Sequence, residues 1–227
     1  MIQNNRFELK QTAEHICVGF STEHPVLSSA VLNGGACAAR NILIMKVAEN
    51  FEGTKQLVEN PENTLAEYCR QLQLSGTTVG MMTSASMDSF RRVSRSSQGV
   101  EISAMVTAGI SNARCAGDRA DRRKFLTNAD PTGTINIIIL TNATMSPAAM
   151  VESVMLAAEA KTVAMRKLSV KSPVSGTIAT GTGTDAIAVA NGFGSKTIRY
   201  CGKHVIFGEM LASVVIEAIT ESLGNKV

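Results

Sequence analysis

From Ile135 to Leu140 the chain reads Ile-Asn-Ile-Ile-Ile-Leu, apolar on both faces of an extended backbone. The strand read here over 134–141 is central in its sheet, with protein covering each side. Residues 100 to 108 make a strand of a different sort: Val100, Ile102, Ala104, Val106 and Ala108 alternate with Glu101, Ser103, Met105 and Thr107, so one face meets a core. Further strands read at 16–20, 41–48, 77–83, 185–190 and 197–201. Three helices carry their own punctuation. Asn60-Pro61 opens one, with Leu65, Cys69 and Leu72 on a face and Ser75-Gly76 as the stop. Ser146-Pro147 opens the second, with Met150, Val154, Ala157, Ala158, Met165 and Leu168 inward and Arg166-Lys167 near the negative end of its dipole. The third begins near Gly208, buries Leu211, Val214, Val215, Ala218 and Ile219, and ends at Gly224. Residues 84–99 and 113–133 read as long irregular segments. The expected architecture is one α+β (or α/β) domain spanning 1–227, a mixed β-sheet flanked by helices.

Length and charge agree with that and narrow the partners. The 227 residues suffice for one sizeable core, and a net charge of +3 is too small to argue for nucleic acid. Two Tyr, seven Phe and no Trp leave few platforms for stacking bases. Five cysteines, at 17, 37, 69, 115 and 201, form neither a disulfide framework nor a zinc pattern and suit a reducing cytoplasm. The N-terminus lacks the apolar core of a signal peptide, and no apolar run approaches the roughly 20 residues a bilayer needs. A cytoplasmic protein is expected, with no membrane or nucleic-acid partner, no identified cofactor and no metal-ligand spacing. A homo-oligomer is compatible with the sequence.

The chemistry-bearing stretch is Thr180-Gly181-Thr182-Gly183-Thr184-Asp185, set directly before the apolar run 186–190. Two glycines permit close backbone approach, three threonines add hydroxyls, and one carboxylate sits at the strand's start. Familiar hydrolase signatures are absent: the chain has no Gly-x-Ser-x-Gly, no His-Glu-x-x-His and only three histidines. His204, in a short polar segment before the last helix, is the best proton-transfer candidate. Asp185 orients it, acts as base, or caps its own turn. Asn33 with the Gly34 and Gly35 amides makes an oxyanion pocket or an ordinary turn. Glu159 and Lys161 project about 200° apart on their helix and cannot serve one site. A Lys161 ammonium on the sheet side would be partly buried and need a carboxylate, for which Asp185 is the candidate.

Segments of the same character recur in a fixed order: Leu27-Ser28-Ser29-Ala30 leading to Asn33-Gly34-Gly35, then Ala108-Gly109-Ile110-Ser111-Asn112-Ala113, Gly133-Thr134-Ile135-Asn136, Glu159-Ala160-Lys161-Thr162, the Thr-Gly run, and Lys203-His204 before Gly208. In this order the chain resembles the adenosylcobinamide amidohydrolase family, corrinoid-salvage enzymes that cleave the aminopropanol amide of a cobinamide. The resemblance runs from about Ser28 to the last helix. It departs at 41–47, where a more polar stretch is usual and this chain reads Asn-Ile-Leu-Ile-Met-Lys-Val. It implies a corrinoid substrate, hydrolysis to adenosylcobyric acid, catalytic His204 and Asp185, and substrate contacts from Asn33, Gly34, Gly35, Ser111, Asn112, Thr134, Asn136, Glu159, Lys161, Thr180, Gly181, Thr182, Gly183 and Thr184. The alternatives are a corrinoid-binding protein without hydrolysis and a hydrolase of a different amide.

Overall fold

The computed structural model describes residues 7–47, 60–120 and 134–224. In chain order its elements are β1 (Phe7–Gln11), β2 (His15–Ser28), β3 (Gly35–Lys46), α1 (Pro61–Gln71), β4 (Thr78–Thr83), β5 (Arg91–Ser97), β6 (Val100–Ala108), β7 (Ala113–Arg114), β8 (Ile135–Thr141), β9 (Thr144–Met145), α2 (Pro147–Lys167), β10 (Gly181–Thr182), β11 (Ala186–Ala190), β12 (Thr197–Ile198) and α3 (Ile206–Leu223). The main sheet runs β4-β3-β2-β11-β8-β6-β5, with β1 added on β2. It is mixed: β8 with β11 and β3 with β4 are parallel, the other pairs antiparallel.

Strand β8 sits inside the sheet and is buried along its whole length, as its two apolar faces require. Its layers come from an unexpected source. β2 and β3 are long, and their register shifts between Gly19 and His24, a bulge that bends the pair. Beyond the bend, Ile16, Val18, Ile42, Ile44, Val79 and Met81 form one apolar cluster with Met105, Ile138, Ala186 and Ala188. The hydrogen-bonded sheet therefore doubles back on itself, with this cluster between its two halves. α2 and α3 cover the outer face of the β8 half through Ala149, Ala157, Leu211 and Val214, which pack with Ile135, Ile137 and Ile139. α1 covers the outer face of the other half, where Leu65 packs with Cys17, Leu43 and Met45. The layers run helix, sheet, sheet, helix.

The helix starts follow the sequence signals. Asn60 Oδ1 accepts from Asn63 N at 3.1 Å ahead of Pro61, and Ser146 Oγ accepts from Ala149 N at 3.1 Å ahead of Pro147. α3 begins at Ile206, two residues before Gly208. A Cβ on Gly208 would lie 2.2 Å from Gly202 O, so glycine is what lets the first turn seat against 201–202.

Several expected boundaries move. Residues 84–99 are not irregular: Met87–Ser89 form a 3₁₀ turn and β5 pairs along its full length with β6. β5 is an edge strand with only Val93 buried, so it lacks an apolar period to read. β1 was hidden for the same reason, β2 extends beyond 16–20 at both ends, β3 starts at Gly35 and ends at Lys46 where 41–48 was expected, with residue 48 outside the described residues, and β12 is only two residues. In β6, Ser103, Met105 and Thr107 are buried as well as the alternate face, because the doubled sheet covers both sides. Residues 121–133 of the second irregular segment lie outside the described residues.

Candidate active site

The parallel neighbours β8 and β11 start side by side, Ala186 opposite Asn136, so the residues just before them converge at one end of the sheet. Asp185 is the hub. Ile135 N donates to its Oδ1 at 3.0 Å and Thr182 Oγ1 donates to the same oxygen at 2.5 Å. Thr182 N donates to Oδ2 at 3.0 Å, and the Lys161 ammonium, reaching down from α2, forms an ion pair with that oxygen. The two side chains are 13% and 9% exposed, so the pair is largely withdrawn from solvent. A carboxylate so surrounded has its lone pairs committed, which makes it an anchor for Lys161 and Thr182.

Two further bonds lace the same segments together. Thr134 Oγ1 donates to Thr184 O at 2.5 Å, and Thr162 Oγ1 donates to Thr180 O at 3.2 Å. Thr180 is held from the other side as well: its N donates to Arg114 O and its Oγ1 accepts from Ala116 N, both at 2.9 Å. β10 pairs with β7, Thr182 opposite Ala113, which brings the loop after β6 alongside the Thr-Gly run. Gly181 fits where nothing larger would: a Cβ there would stand 2.1 Å from Asp185 Oδ2 and 2.5 Å from Lys161 Nζ. At Gly183 a Cβ would meet only Asn112 Nδ2, at 3.3 Å.

Around this end of the sheet the fold leaves polar atoms unmatched. Among the described residues four buried side-chain polar atoms have no hydrogen-bond partner, and three of them, Thr107 Oγ1, Asn112 Oδ1 and Asn136 Oδ1, border the start of β8. Asn136 is oriented by its Nδ2, which donates to Met82 O at 2.8 Å. Thr107 stands directly opposite Asn136 on β6. Orphaned polar groups are uncommon in folded proteins, and their gathering here makes this end the candidate site. Sequence reasoning passed over Thr107, although it stands on the polar side of the alternation in 100–108.

Other expected site residues are engaged differently. Asn33, Gly34 and Gly35 form the exposed β2–β3 turn: Asn33 has φ 53° and donates from Nδ2 to Thr78 O at 2.8 Å, and a Cβ on Gly34 would meet Ala30 O at 2.3 Å. Ser111 is exposed beside Asn112. Glu159 pairs with Lys203 at 2.6 Å on the outward side of α2, diverging from Lys161 as helical geometry requires. His204 is exposed on the loop between β12 and α3. The structure does not join it to Asp185, whose oxygens are occupied by Lys161, Thr182 and Ile135. Among the described residues no cluster of three His, Cys, Asp or Glu is arranged as a metal site, and no helix is long and apolar enough to cross a membrane.

The three segments that meet at Asp185 are among those whose order carried the family resemblance, and the sequence model of the adenosylcobinamide amidohydrolase family matches residues 2–227. The chain belongs to that family. Family membership makes it an amide hydrolase. A Methanosarcina mazei protein named adenosylcobinamide amidohydrolase is 29% identical over 204 residues, covering 86% of this chain and 88% of that protein. An uncharacterised Methanocaldococcus jannaschii protein is 44% identical over 92 residues, 40% of this chain and 36% of that protein, so the chain matches little more than a third of that relative's length. Among solved structures, the PH0078 protein of Pyrococcus horikoshii and a Burkholderia beta-aminopeptidase align with TM-scores of 0.44 and 0.42. Each is 13% identical, and each alignment covers 95% of this chain and 78% of the other. Likeness at that level has no bearing on the site.

Proposed function

We propose that this hydrolase cleaves the aminopropanol amide of adenosylcobinamide, giving adenosylcobyric acid and 1-aminopropan-2-ol, at the end of the sheet where β8 and β11 begin. The observation that carries the reading is the meeting of 134–136, 159–162 and 180–185 around one buried ion pair. In hydrolysis the oxygen of water joins the carbonyl carbon, the C–N bond breaks, and the departing nitrogen takes a proton. Negative charge grows on the carbonyl oxygen as the tetrahedral intermediate forms, and a fixed cation in a site shielded from water stabilises it. Lys161 supplies that cation. Asp185 is its positioning residue, holding the ammonium and the Thr182 hydroxyl in place through bonds made before substrate arrives. Asn112 Oδ1, buried without a partner, is an acceptor for a substrate N–H or O–H. In this reading residues 1–227 work as one domain, and the free cysteines suit the cytoplasm.

The test is release of 1-aminopropan-2-ol from adenosylcobinamide by the purified protein, followed by chromatography, with Lys161→Met as the comparison. Release by wild type that falls about 100-fold or more in the variant, the usual weight of one oxyanion-stabilising donor, supports the reading. Tight corrinoid binding with no release would make the protein a binder and overturn it. Release of an amine from other amides but not from adenosylcobinamide would overturn the substrate.

A further inference from the structure

The described surface also holds a cleft of about 810 Å³, and it lies away from the ion-pair site. It opens between the two halves of the doubled sheet where the bend at Gly19–His24 splays them, and it is lined at one end by Leu140 and Thr141 of β8. Thr141 is five residues along β8 from Asn136, about 16 Å at the rise of an extended strand. The two places are therefore opposite mouths of the sandwich.

Four ionisable side chains line this cleft: Arg40 and Glu101, both half-buried, with Arg92 and Glu8 at the rim. None forms a side-chain hydrogen bond or ion pair with any described residue; Arg92 has only the face of Phe7, its guanidinium carbon 5.0 Å from the ring centroid. Half-buried charges left apart in this way lose hydration without gaining a partner. Their signs balance, two cations and two anions, so an ion of either sign alone would suit half of them and be repelled by the rest. The rest of the lining is mixed, with Phe20, Leu140 and the half-buried Leu9 beside polar residues such as Ser103 and Asn41. Among the described residues the two strands flanking the opening, β1 and β5, each pair on one side only, with β2 and with β6. Their other edges present backbone donors and acceptors.

We propose that this cleft binds the free ends of a short oligopeptide: an extended zwitterion with an apolar middle, its carboxylate at Arg40 and its ammonium at Glu101. The arginines answer the carboxylate, the glutamates answer the ammonium, Phe20 and Leu140 take an apolar side chain, and the strand edges match the peptide main chain. The volume accommodates a ligand of that size and is far more than a single small ion fills. The proposal does not rest on the corrinoid reading, since it uses none of the residues around Asp185.

The test is titration of the intact protein with the tripeptide Leu-Gly-Leu and with its N-acetylated and C-amidated forms, followed by calorimetry and amide chemical shifts. The free tripeptide is expected to shift residues of β1, β5 and Arg40, and each cap should weaken binding about tenfold, the worth of one charge-assisted hydrogen bond. Glu101→Gln should remove the effect of acetylation and leave that of amidation, and Arg40→Gln should do the reverse. Circular dichroism of both variants separates this from unfolding. Equal affinity for free and capped peptides, shifts confined to the Lys161 end, or no saturable binding at millimolar peptide would overturn the proposal.

Discussion

Gly181→Ala isolates the Lys161–Asp185 pair without touching either charge. Gly181 is not among the residues with positive φ, so alanine is tolerated by the backbone and only the space for its Cβ is at issue. That Cβ would sit 2.1 Å from Asp185 Oδ2, and an ordinary contact needs 3.4 Å, so the carboxylate must retreat by the difference, about 1.3 Å. The Lys161 ammonium ends a flexible side chain and can follow. Asp185 cannot move freely, because its oxygens accept from Thr182 N and Ile135 N, each at 3.0 Å. A retreat of that size would lengthen a 3.0 Å bond by about two-fifths and break it, and disrupting a buried pair costs about 3–5 kcal/mol, so with partial relaxation we expect a loss of about 3 kcal/mol. In a chain of this size each kcal/mol lowers the melting temperature by about 2–4 °C, giving a fall of about 6–12 °C. Gly183→Ala, two residues on, meets only Asn112 Nδ2 at 3.3 Å and should change stability by less than about 1 kcal/mol. Scanning calorimetry of both variants, with aminopropanol release measured alongside, checks the contrast. If Gly181→Ala melts within about 2 °C of wild type and keeps full activity, the pair is not packed as described and the reasoning fails.

Lys161→Met leaves Asp185 buried without its cation and should destabilise by about 3–5 kcal/mol, whereas Lys161→Met with Asp185→Leu should cost clearly less than the sum of the single changes; urea unfolding of the cycle decides. His204→Ala should leave kcat within a few-fold of wild type, because the ring is exposed and Asp185 is occupied by other donors; a loss of about 10² or more would restore the histidine to proton transfer. His15 is buried, and burial, reinforced by Lys10, holds its imidazole below the ordinary 6.5. The unfolded chain then takes up that proton more readily than the folded one, so this contribution to stability is full above about pH 6.5 and declines as pH falls below it. Urea midpoints at pH 7.5 and 5.5 should show the decline, and His15→Gln should flatten it.

Much of the secondary structure was legible because local rules govern it. The caps at Asn60 and Ser146, the prolines that follow them, and the doubly apolar run at 135–140 each state their structure within a few residues. β5 was illegible for the converse reason. An edge strand with only Val93 buried has no period to detect, and its strand character comes from β6 alone. The pairing of Lys161 with Asp185 was reachable, since a lysine on the sheet side of α2 must find a carboxylate. Of the roles open to Asp185, the fold supplies the pairing with Lys161 and not the one with His204, because proximity in a list of polar loops says nothing about which end of a sheet each loop occupies.

What the sequence determined by itself was the helices, the central strand and the identity of the polar segments, all set by periodicity, capping and side-chain chemistry over short spans. Tertiary structure alone decided which segments meet. The parallel start of β8 and β11 brings 134–136 to 184–185, and α2 crossing above lays Lys161 on them. The bend between Gly19 and His24 folds the sheet over its own face, burying Thr107 and Asn136 and opening the Arg40–Glu101 cleft at the other end. These are contacts between residues far apart along the chain, and the hydrophobic burial that enforces them responds to total apolar area and shape, which no local stretch of sequence specifies.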